Sequence, residues 1–327
     1  MSYMVNYLKG YLIVNGYLEN HRFFVLYDML KEAFEKENII LEIITNKDIL
    51  QIIDKDIKNK LICDFIIFWD KDILLCEMLE KLGYKVLNSS NTIRICDDKA
   101  LTYINLINHN INMPKTILMP FSFENIGYND FSYLDNVIEC LGFPLIIKEN
   151  KGSFGTGVYL INNKEELLKQ VKNSFPKATI FQEYINNNIF EFMDISNNLI
   201  SQNSAIDIRI MTVGKKALGA VMRINEGDYR SNVLSGGKMI SLTDNKLNVN
   251  NNTIFYPNLN KYLSEAEKIS QILDLDFGSV DFLIGKNNQP ILCEVNSNAH
   301  FKTFYTVTNI NLAEELAKYI IKINNNQ

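Results

Sequence analysis

Apolar and polar positions along this chain keep two rhythms, and the changes between them mark out its elements. Residues 11–18 (YLIVNGYL), 39–45 and 62–69 (ICDFIIFW) are short apolar runs, the last almost without polar interruption. Such a run suits a strand covered on both faces. Between them, Phe23–Lys36 and Asp72–Leu82 carry apolar residues at helical spacing, Gly83 is placed to stop the second, and Lys85–Leu87 reads as a fourth strand. Strands alternating with helices predict a parallel sheet with right-handed crossovers, so residues 1–90 read as a small open α/β domain. Gly16 sits after the first strand, but no G-x-G-x-x-G follows, which excludes the dinucleotide fingerprint.

Beyond the polar junction Asn88–Asn91 the pattern changes to α+β. Asp97-Asp98-Lys99 opens a helix, its acids suiting a helix N-terminus. A strand over 114–119, a helix over 131–141, strands over 143–147 and 158–161, a helix over 164–173 and a strand over 179–185 follow. Residues 186–203 have weak periodicity and many asparagines, and read as an irregular insertion. Residues 205–213 and 216–225 form an antiparallel hairpin across Gly214, and the polar stretch 226–237 is expected to be an active-site loop. A helix over 261–273, strands over 277–284 and 289–295 around a turn at 286–288, and a helix over 312–323 complete the chain.

Length adds a bound: 327 residues exceed one typical core, so two or three domains are expected. Apolar residues make up 47% and charged residues 22%, an ordinary globular balance. The net charge of −5 with scattered basic residues argues against a nucleic-acid surface. No apolar segment approaches the roughly 20 residues that span a bilayer, and no export signal is visible, so a soluble cytoplasmic protein without membrane partners is expected. Cys63, Cys76, Cys96, Cys140 and Cys293 are odd in number, lack metal-type spacing and read as core residues.

Candidate chemistry gathers at three places. Lys148–Val158 joins two apolar strands and holds Gly152, Gly155 and Gly157, whose backbone amides can curl around an anion; the bland reading is a glycine-rich hairpin. Lys148, at a strand end, is placed to meet a phosphate. Asp281 lies opposite Glu294 in the last hairpin and Asn296 shares a face with Glu294, an oxygen set suited to Mg²⁺; a polar strand rim is the alternative. Asp281 is bracketed by apolar residues, where an acid is costly unless paired or metal-bound. Arg209, Arg223 and Arg230 fall within 22 residues of one another, which suggests an anion other than solvent. His21, His109 and His300 form no triad or zinc pattern, and His300 either lines an acceptor pocket or fills structure.

Together these motifs are similar to those of ATP-grasp ligases, most closely the RimK-like group that joins amino acids to a carboxylate. The resemblance covers nearly the whole chain, and Asp207-Ile208-Arg209, the stretch Glu226–Asn232 (EGDYRSN) and Glu294-Val295-Asn296 are its most specific pieces. It implies a pre-ATP-grasp α/β domain at 1–90, a central subdomain at 91–185 carrying the glycine-rich lid, and a C-terminal subdomain at 186–327 carrying a metal site. It further implies that Lys99 and Lys148 contact ATP phosphates beneath a lid of Gly152, Ser153, Phe154, Gly155 and Gly157. Glu183 and the backbone of Tyr184 and Ile185 are expected at adenine. Asp281, Glu294 and Asn296 are expected to hold Mg²⁺, with Mn²⁺ the alternative ion. Arg209, Arg230 and Asn232 are expected to face the reacting carboxylate and the γ-phosphate.

The implied reaction is ATP-dependent amide formation through an acyl phosphate. Its substrates are a small-molecule carboxylate and amine, or a peptide or protein acceptor; a homo-oligomer is compatible with it. Two other readings stand beside it: a ligase making a dipeptide or D-amino-acid product, and a non-catalytic ATP-binding regulator. The chain departs from relatives in two segments. The insertion at 186–203 leaves Glu191 and Asp194 both as ribose contacts, and Ser297–Lys302 replaces the Ala-Ser-Pro-Gly run common in the family.

Overall fold

The computed structural model describes residues 7–18, 20–52, 61–121, 130–152, 155–186, 204–226, 231, 237–243, 246–249, 252–255 and 259–325. They build three sheets. The first is parallel, ordered β2-β1-β3-β4, from β1 (Lys9–Val14), β2 (Ile40–Thr45), β3 (Phe65–Trp69) and β4 (Val86–Leu87). All five residues of β3 are buried, as its unbroken apolar run requires. Helices His21–Lys36 and Ile73–Lys81 belong to this unit, and Asn20 and Asp72 cap them through side-chain oxygens on the amides of Arg22 and Leu75. Gly83 adopts the positive φ that ends the second helix.

The second sheet has four antiparallel strands in the order β5-β8-β6-β7: β5 (Thr116–Leu118), β6 (Leu145–Glu149), β7 (Val158–Ile161) and β8 (Thr179–Glu183). Leu145, Ile147, Ile161 and Phe181 meet Leu134, Val137, Leu167 and Val171 of helices Tyr133–Leu141 and Lys164–Ser174 in a core of their own. Because side chains alternate across a strand, Ile146, Lys148, Ile180 and Gln182 face the other way.

The third sheet has seven antiparallel strands, β13-β12-β11-β10-β9-β14-β15, from β9 (Ser204–Val213), β10 (Lys216–Glu226), β11 (Lys238–Thr243), β12 (Lys246–Val249), β13 (Asn252–Phe255), β14 (Phe277–Ile284) and β15 (Pro290–Asn296). On one face Ile206, Ile208, Ile210, Val280 and Phe282 pack on Tyr262, Ala266 and Ile269 of helix Leu259–Ile272, and Ile95, Cys96, Leu106 and Ile111 join this core. On the other, Met211, Val213, Val221 and Phe277 pack with Phe304, Leu312, Leu316 and Ile320 and continue into the first sheet through Leu12, Phe65 and Trp69. Trp69 stacks on Phe277 at 4.9 Å between ring centroids, joining the two sheets directly.

Several elements differ from the sequence reading. The junction at 88–91 is not a polar linker. Ser89 caps helix Ser90–Cys96, and Asn88 is fully buried. Its Nδ2 donates to the Phe277 and Ser297 carbonyls at 2.8 and 3.0 Å, and its Oδ1 accepts from the Asp276 amide at 2.8 Å. A buried amide so satisfied ties chain segments together, and periodicity carries no trace of it. Short elements were missed as well: helices Asn46–Ile52 and Lys302–Thr308, and the three strands β11, β12 and β13. Among the described residues no helix is long and apolar enough to cross a membrane.

Candidate active site

The site lies where the face of the four-stranded sheet turned away from its helices meets β15. A cleft there is lined by Lys99, Tyr103, Met113, Lys148, Ile180, Gln182, Leu292, Cys293 and Glu294, among others. Lys99 is the first residue of helix Lys99–Leu106, which Asp98 caps by accepting from the Ala100 and Leu101 amides. Its Nζ lies 3.4 Å from Glu294 Oε1 and donates to the Gly152 carbonyl at 3.3 Å, linking the glycine loop to β15. Lys148 on β6 is 8% exposed. Its Nζ sits 4.0 Å from Cys293 Sγ, and among the described residues no carboxylate pairs with it. A buried ammonium without a counter-charge favours an anion beside it.

A register shift aims the acids. Asp281 pairs with Glu294 and Ser279 with Asn296, but Phe282 pairs with Leu292, so the irregularity falls at Cys293. Leu292 therefore joins the apolar core while Glu294 and Asn296 share the face of Asp281. The same face of β9, β10 and β14 is apolar toward Met211 and Val213 and charged at Asp207, Arg209, Arg223 and Asp281.

Those charges are largely satisfied by one another. Arg209 grips Asp281 at two points, Nε to Oδ1 at 2.8 Å and Nη2 to Oδ2 at 2.6 Å. Arg223 grips Asp207 the same way, with Nε to Oδ1 at 2.6 Å, and reaches Asp281 Oδ2 with Nη2 at 2.8 Å. Ser231 donates its hydroxyl to Asp207. Burial pushes the Asp281 carboxyl up, but the two guanidiniums outweigh it and hold the group below the usual carboxylate range. Burial likewise opposes the charge of Arg223, and Asp207 and Asp281 more than restore it.

Two readings are narrowed. The anion that Arg223 meets is internal, Asp207 and Asp281, rather than a ligand. Burial by itself also ceases to argue for metal at Asp281, because paired guanidiniums account for it. A carboxylate has about four lone-pair sites, and three donors leave one on Asp281 Oδ1. Asn296 keeps its Nδ2 buried and unpartnered, and reversing the amide offers an oxygen instead. With partly exposed Glu294, this oxygen set suits a hard divalent cation. Among the described residues no group of three or more His, Cys, Asp or Glu side chains has metal-holding geometry, so such an ion would lean on the amide and on substrate oxygens.

The remaining expected residues divide. Gly152 reaches the cleft through its carbonyl's bond from Lys99, and Gly155 and Gly157 take positive φ. Tyr184 and Ile185 are partly buried just after β8. Glu183 turns its carboxylate to the Lys115 amide at 2.9 Å, while its neighbour Gln182 lines the cleft, as strand alternation demands. Ser153, Phe154, Arg230 and Asn232, with the ribose candidates Glu191 and Asp194 and all of the 186–203 insertion but its first residue, lie outside the described residues. Sequence reasoning passed over Gln182 and took Cys293 for core. Its thiol faces Lys148 but stays protonated, since burial outweighs the pull of that ammonium. The bulge at Cys293 was the missing signal, and strand periodicity does not reveal it.

Comparison with known proteins agrees with this geometry. Residues 96–320 match the RimK-like ATP-grasp domain. The "Uncharacterized protein MG012 homolog" of Mycoplasma pneumoniae is 30% identical over 88% of this chain and 91% of its own length. "Glutamate--LysW ligase ArgX" of Sulfurisphaera tokodaii is 31% identical over 74% of this chain and 75% of its own. Human "N-acetylaspartylglutamate synthase A" is 27% identical over 78% of this chain, which spans 56% of that protein. Among solved structures, D-alanine–D-alanine ligase of Bacillus anthracis complexed with ATP superposes with a TM-score of 0.67 at 18% identity, covering 96% of both chains. The ligase PsnB, complexed with a precursor variant, Mg and ADP, superposes at 0.61 and 12% identity, covering 96% of this chain and 98% of its own. The chain therefore belongs to the RimK-like ATP-grasp family and is an ATP-dependent ligase that joins a carboxylate to an amine.

Proposed function

We propose that this ligase couples an amino acid, with glutamate the first candidate, to a carboxylate-bearing acceptor through an acyl phosphate. Glutamate enters because it is named for relatives across three-quarters of the chain. The observation that carries the chemistry is Lys148, a buried ammonium with no carboxylate partner among the described residues, facing Lys99 and Glu294 across one cleft. The walls of that cleft support ATP as occupant: Met113, Ile180 and Leu292 suit a flat base, and Gln182 offers polar atoms at its edge.

A carboxylate is a poor acyl donor because its leaving oxygen is too basic. Moving the γ-phosphoryl group onto it gives an acyl phosphate, from which an attacking amine expels phosphate. The protein's work is alignment and charge neutralisation. Lys99 and Lys148 would meet the phosphates. Glu294, Asn296 and the open lone pair of Asp281 would hold Mg²⁺, which would supply charge neutralisation to the phosphates. Arg209, fixed by Asp281, would present its guanidinium edge to the acyl oxygens, with Arg230 and Asn232 contributing from the 226–237 loop. The stretch Gly152–Gly157 would close over the acyl phosphate and exclude water. We assign the organisation accordingly: the four-stranded sheet as the moving body, the other two sheets as its frame. Five free cysteines support a reducing cytoplasmic setting.

The test is ADP release with ATP and Mg²⁺ across a panel of amino acids paired with metabolite carboxylates, dipeptides and peptides ending in glutamate. Release that requires both partners, with a product heavier than either, supports the reading. ADP release that no amine stimulates overturns it.

A further inference from the structure

Gln182 stands in the wall of the cleft with an amide that can present either a donor or an acceptor, and its neighbours decide which. Its register partners are Ile146 of β6, which has no polar side-chain atom, and Thr116 of β5. Gln182 Nε2 donates to Thr116 Oγ1 at 2.9 Å, and that hydroxyl in turn donates to the Pro114 carbonyl at 2.8 Å. A threonine hydroxyl has one hydrogen. With that hydrogen engaged on Pro114, Oγ1 can only accept, so the amide nitrogen belongs at Thr116 and the amide oxygen on the other side. Among the described residues Oε1 accepts no hydrogen bond, and it is not sealed within the core. An acceptor is thus left open to the cleft.

The cleft therefore has two marked ends on one face of the four-stranded sheet. Lys148 lies opposite Ile180, and Gln182 follows two residues further along β8, a rise of roughly 7 Å. A nucleotide with its phosphates at Lys148 would lay its base over Ile180 toward Gln182. There an amine at position six of a purine can donate to Oε1, whereas a carbonyl at that position would set two acceptors against each other. Turning the amide over to suit a carbonyl requires the Thr116 hydroxyl to leave Pro114 and donate to Gln182 instead.

We propose that Thr116 is a positioning residue that sets nucleotide choice: by holding the Gln182 amide with its oxygen toward the cleft, it selects a 6-aminopurine and rejects a 6-oxopurine. The proposal rests on the reading of this cleft as the nucleotide site and adds which atoms read the base. Thr116 acts through Gln182, and Gln182 meets the base.

The experiment is an equilibrium titration of the full chain, with Mg²⁺, against ADP and inosine diphosphate, which carry an amine and a carbonyl at position six of the same purine. The ratio of the two affinities is read within each variant, so a general loss of stability does not move it. Wild type should bind ADP at least about tenfold more tightly than inosine diphosphate. Thr116→Val keeps the shape and removes the hydroxyl, which frees the amide to turn; the ratio should fall severalfold, mainly through tighter inosine diphosphate. Thr116→Ser should keep the wild-type ratio, and Gln182→Met should abolish it. Thr116→Ala serves if the valine variant does not fold. The assignment is overturned if wild type binds both nucleotides alike, if removing the hydroxyl or the Gln182 amide leaves the ratio unchanged, or if Thr116→Ser loses it as fully as Thr116→Val. Should ADP itself not bind the wild type, the nucleotide reading of the cleft falls first and the assignment with it.

Discussion

Arg209 holds Asp281 by two parallel hydrogen bonds across neighbouring strands, and Arg223 pulls on the same carboxylate from the other side. The arrangement fixes where the guanidinium edge of Arg209 can point, and its stability depends on all partners being present. Arg223→Met would strand Asp207 and deprive Asp281 of one of its two cations, both acids being buried. The expected loss is about 3–5 kcal/mol in urea unfolding at neutral pH. The folded-state pKa of Asp281 is depressed, so its stabilising contribution is present above the ordinary value of 3.8 and fades as pH falls through the folded value. In the variant the stranded acid takes up a proton more readily, so the deficit should narrow in acid. A deficit that stays small at neutral pH would show the network to be dispensable.

Glu294 faces the cleft and pairs with Lys99 at 3.4 Å with its side chain 30% exposed, so it contributes little to folding. Glu294→Gln should cut ADP formation on the order of a hundredfold or more and leave the melting curve nearly in place. Normal turnover in that variant removes Glu294 from the metal set.

The glycine loop should behave as a lid. Amide exchange at Gly152, Gly155, Thr156 and Gly157 is expected to be fast in the free protein and slow with a non-hydrolysable ATP analogue. Gly157 has φ +73°, and a Cβ there would lie 2.8–2.9 Å from Glu149 side-chain atoms. Gly157→Ala should therefore disturb loop closure and lower turnover more than ATP affinity. Equal exchange with and without the analogue would mark a static turn.

Burial lowers the pKa of His300 below 6.5, and the charges of Arg22, Arg209 and Lys302 add to this against a hydrogen bond that the ring donates to the Arg22 backbone. A depressed folded pKa means that the unfolded chain takes up the proton first. Stability should thus be full above about pH 6.5 and decline as pH falls toward the folded value. His300→Gln should flatten that slope in urea titrations across the interval. An unchanged slope would leave the histidine without a role in it.

Arg230→Ala should reduce turnover far more than ATP affinity, and Arg230→Lys should rescue poorly, because an ammonium lacks the planar two-point grip. Parallel titration and rate measurements decide it. Equal losses in both would make Arg230 an ATP contact.

Much of this was legible in the residue pattern, for identifiable reasons. Short, nearly continuous apolar runs mark β1, β3, β6 and β14 because each is bounded by polar or turn residues and largely buried. The pairing of Asp281 with Glu294 followed from counting back around the turn at 286–288. Interactions set by distant partners were hidden. Nothing near Arg223 announces that its partners are Asp207, 16 residues back, and Asp281, 58 residues on. The same holds for Asn88, whose partners lie about 190 residues away. The strands β11 to β13 are short and polar, and they exist because β10 offers an edge to extend.

Asn88 and the Trp69–Phe277 stack bear on how such ligases could be recombined. They join the first ninety residues to the sheet that carries the acids, while the matched family domain begins only at residue 96. Cutting at that boundary would leave Phe277, Phe301 and Phe304 facing water and the Asp276 amide without its acceptor. A chimera that imports another front domain to change substrate choice should therefore carry the donor's own equivalents of Trp69 and Asn88 together with the segment around Phe277 and Ser297. Grafts that respect only the family boundary are expected to aggregate before their specificity can be asked about.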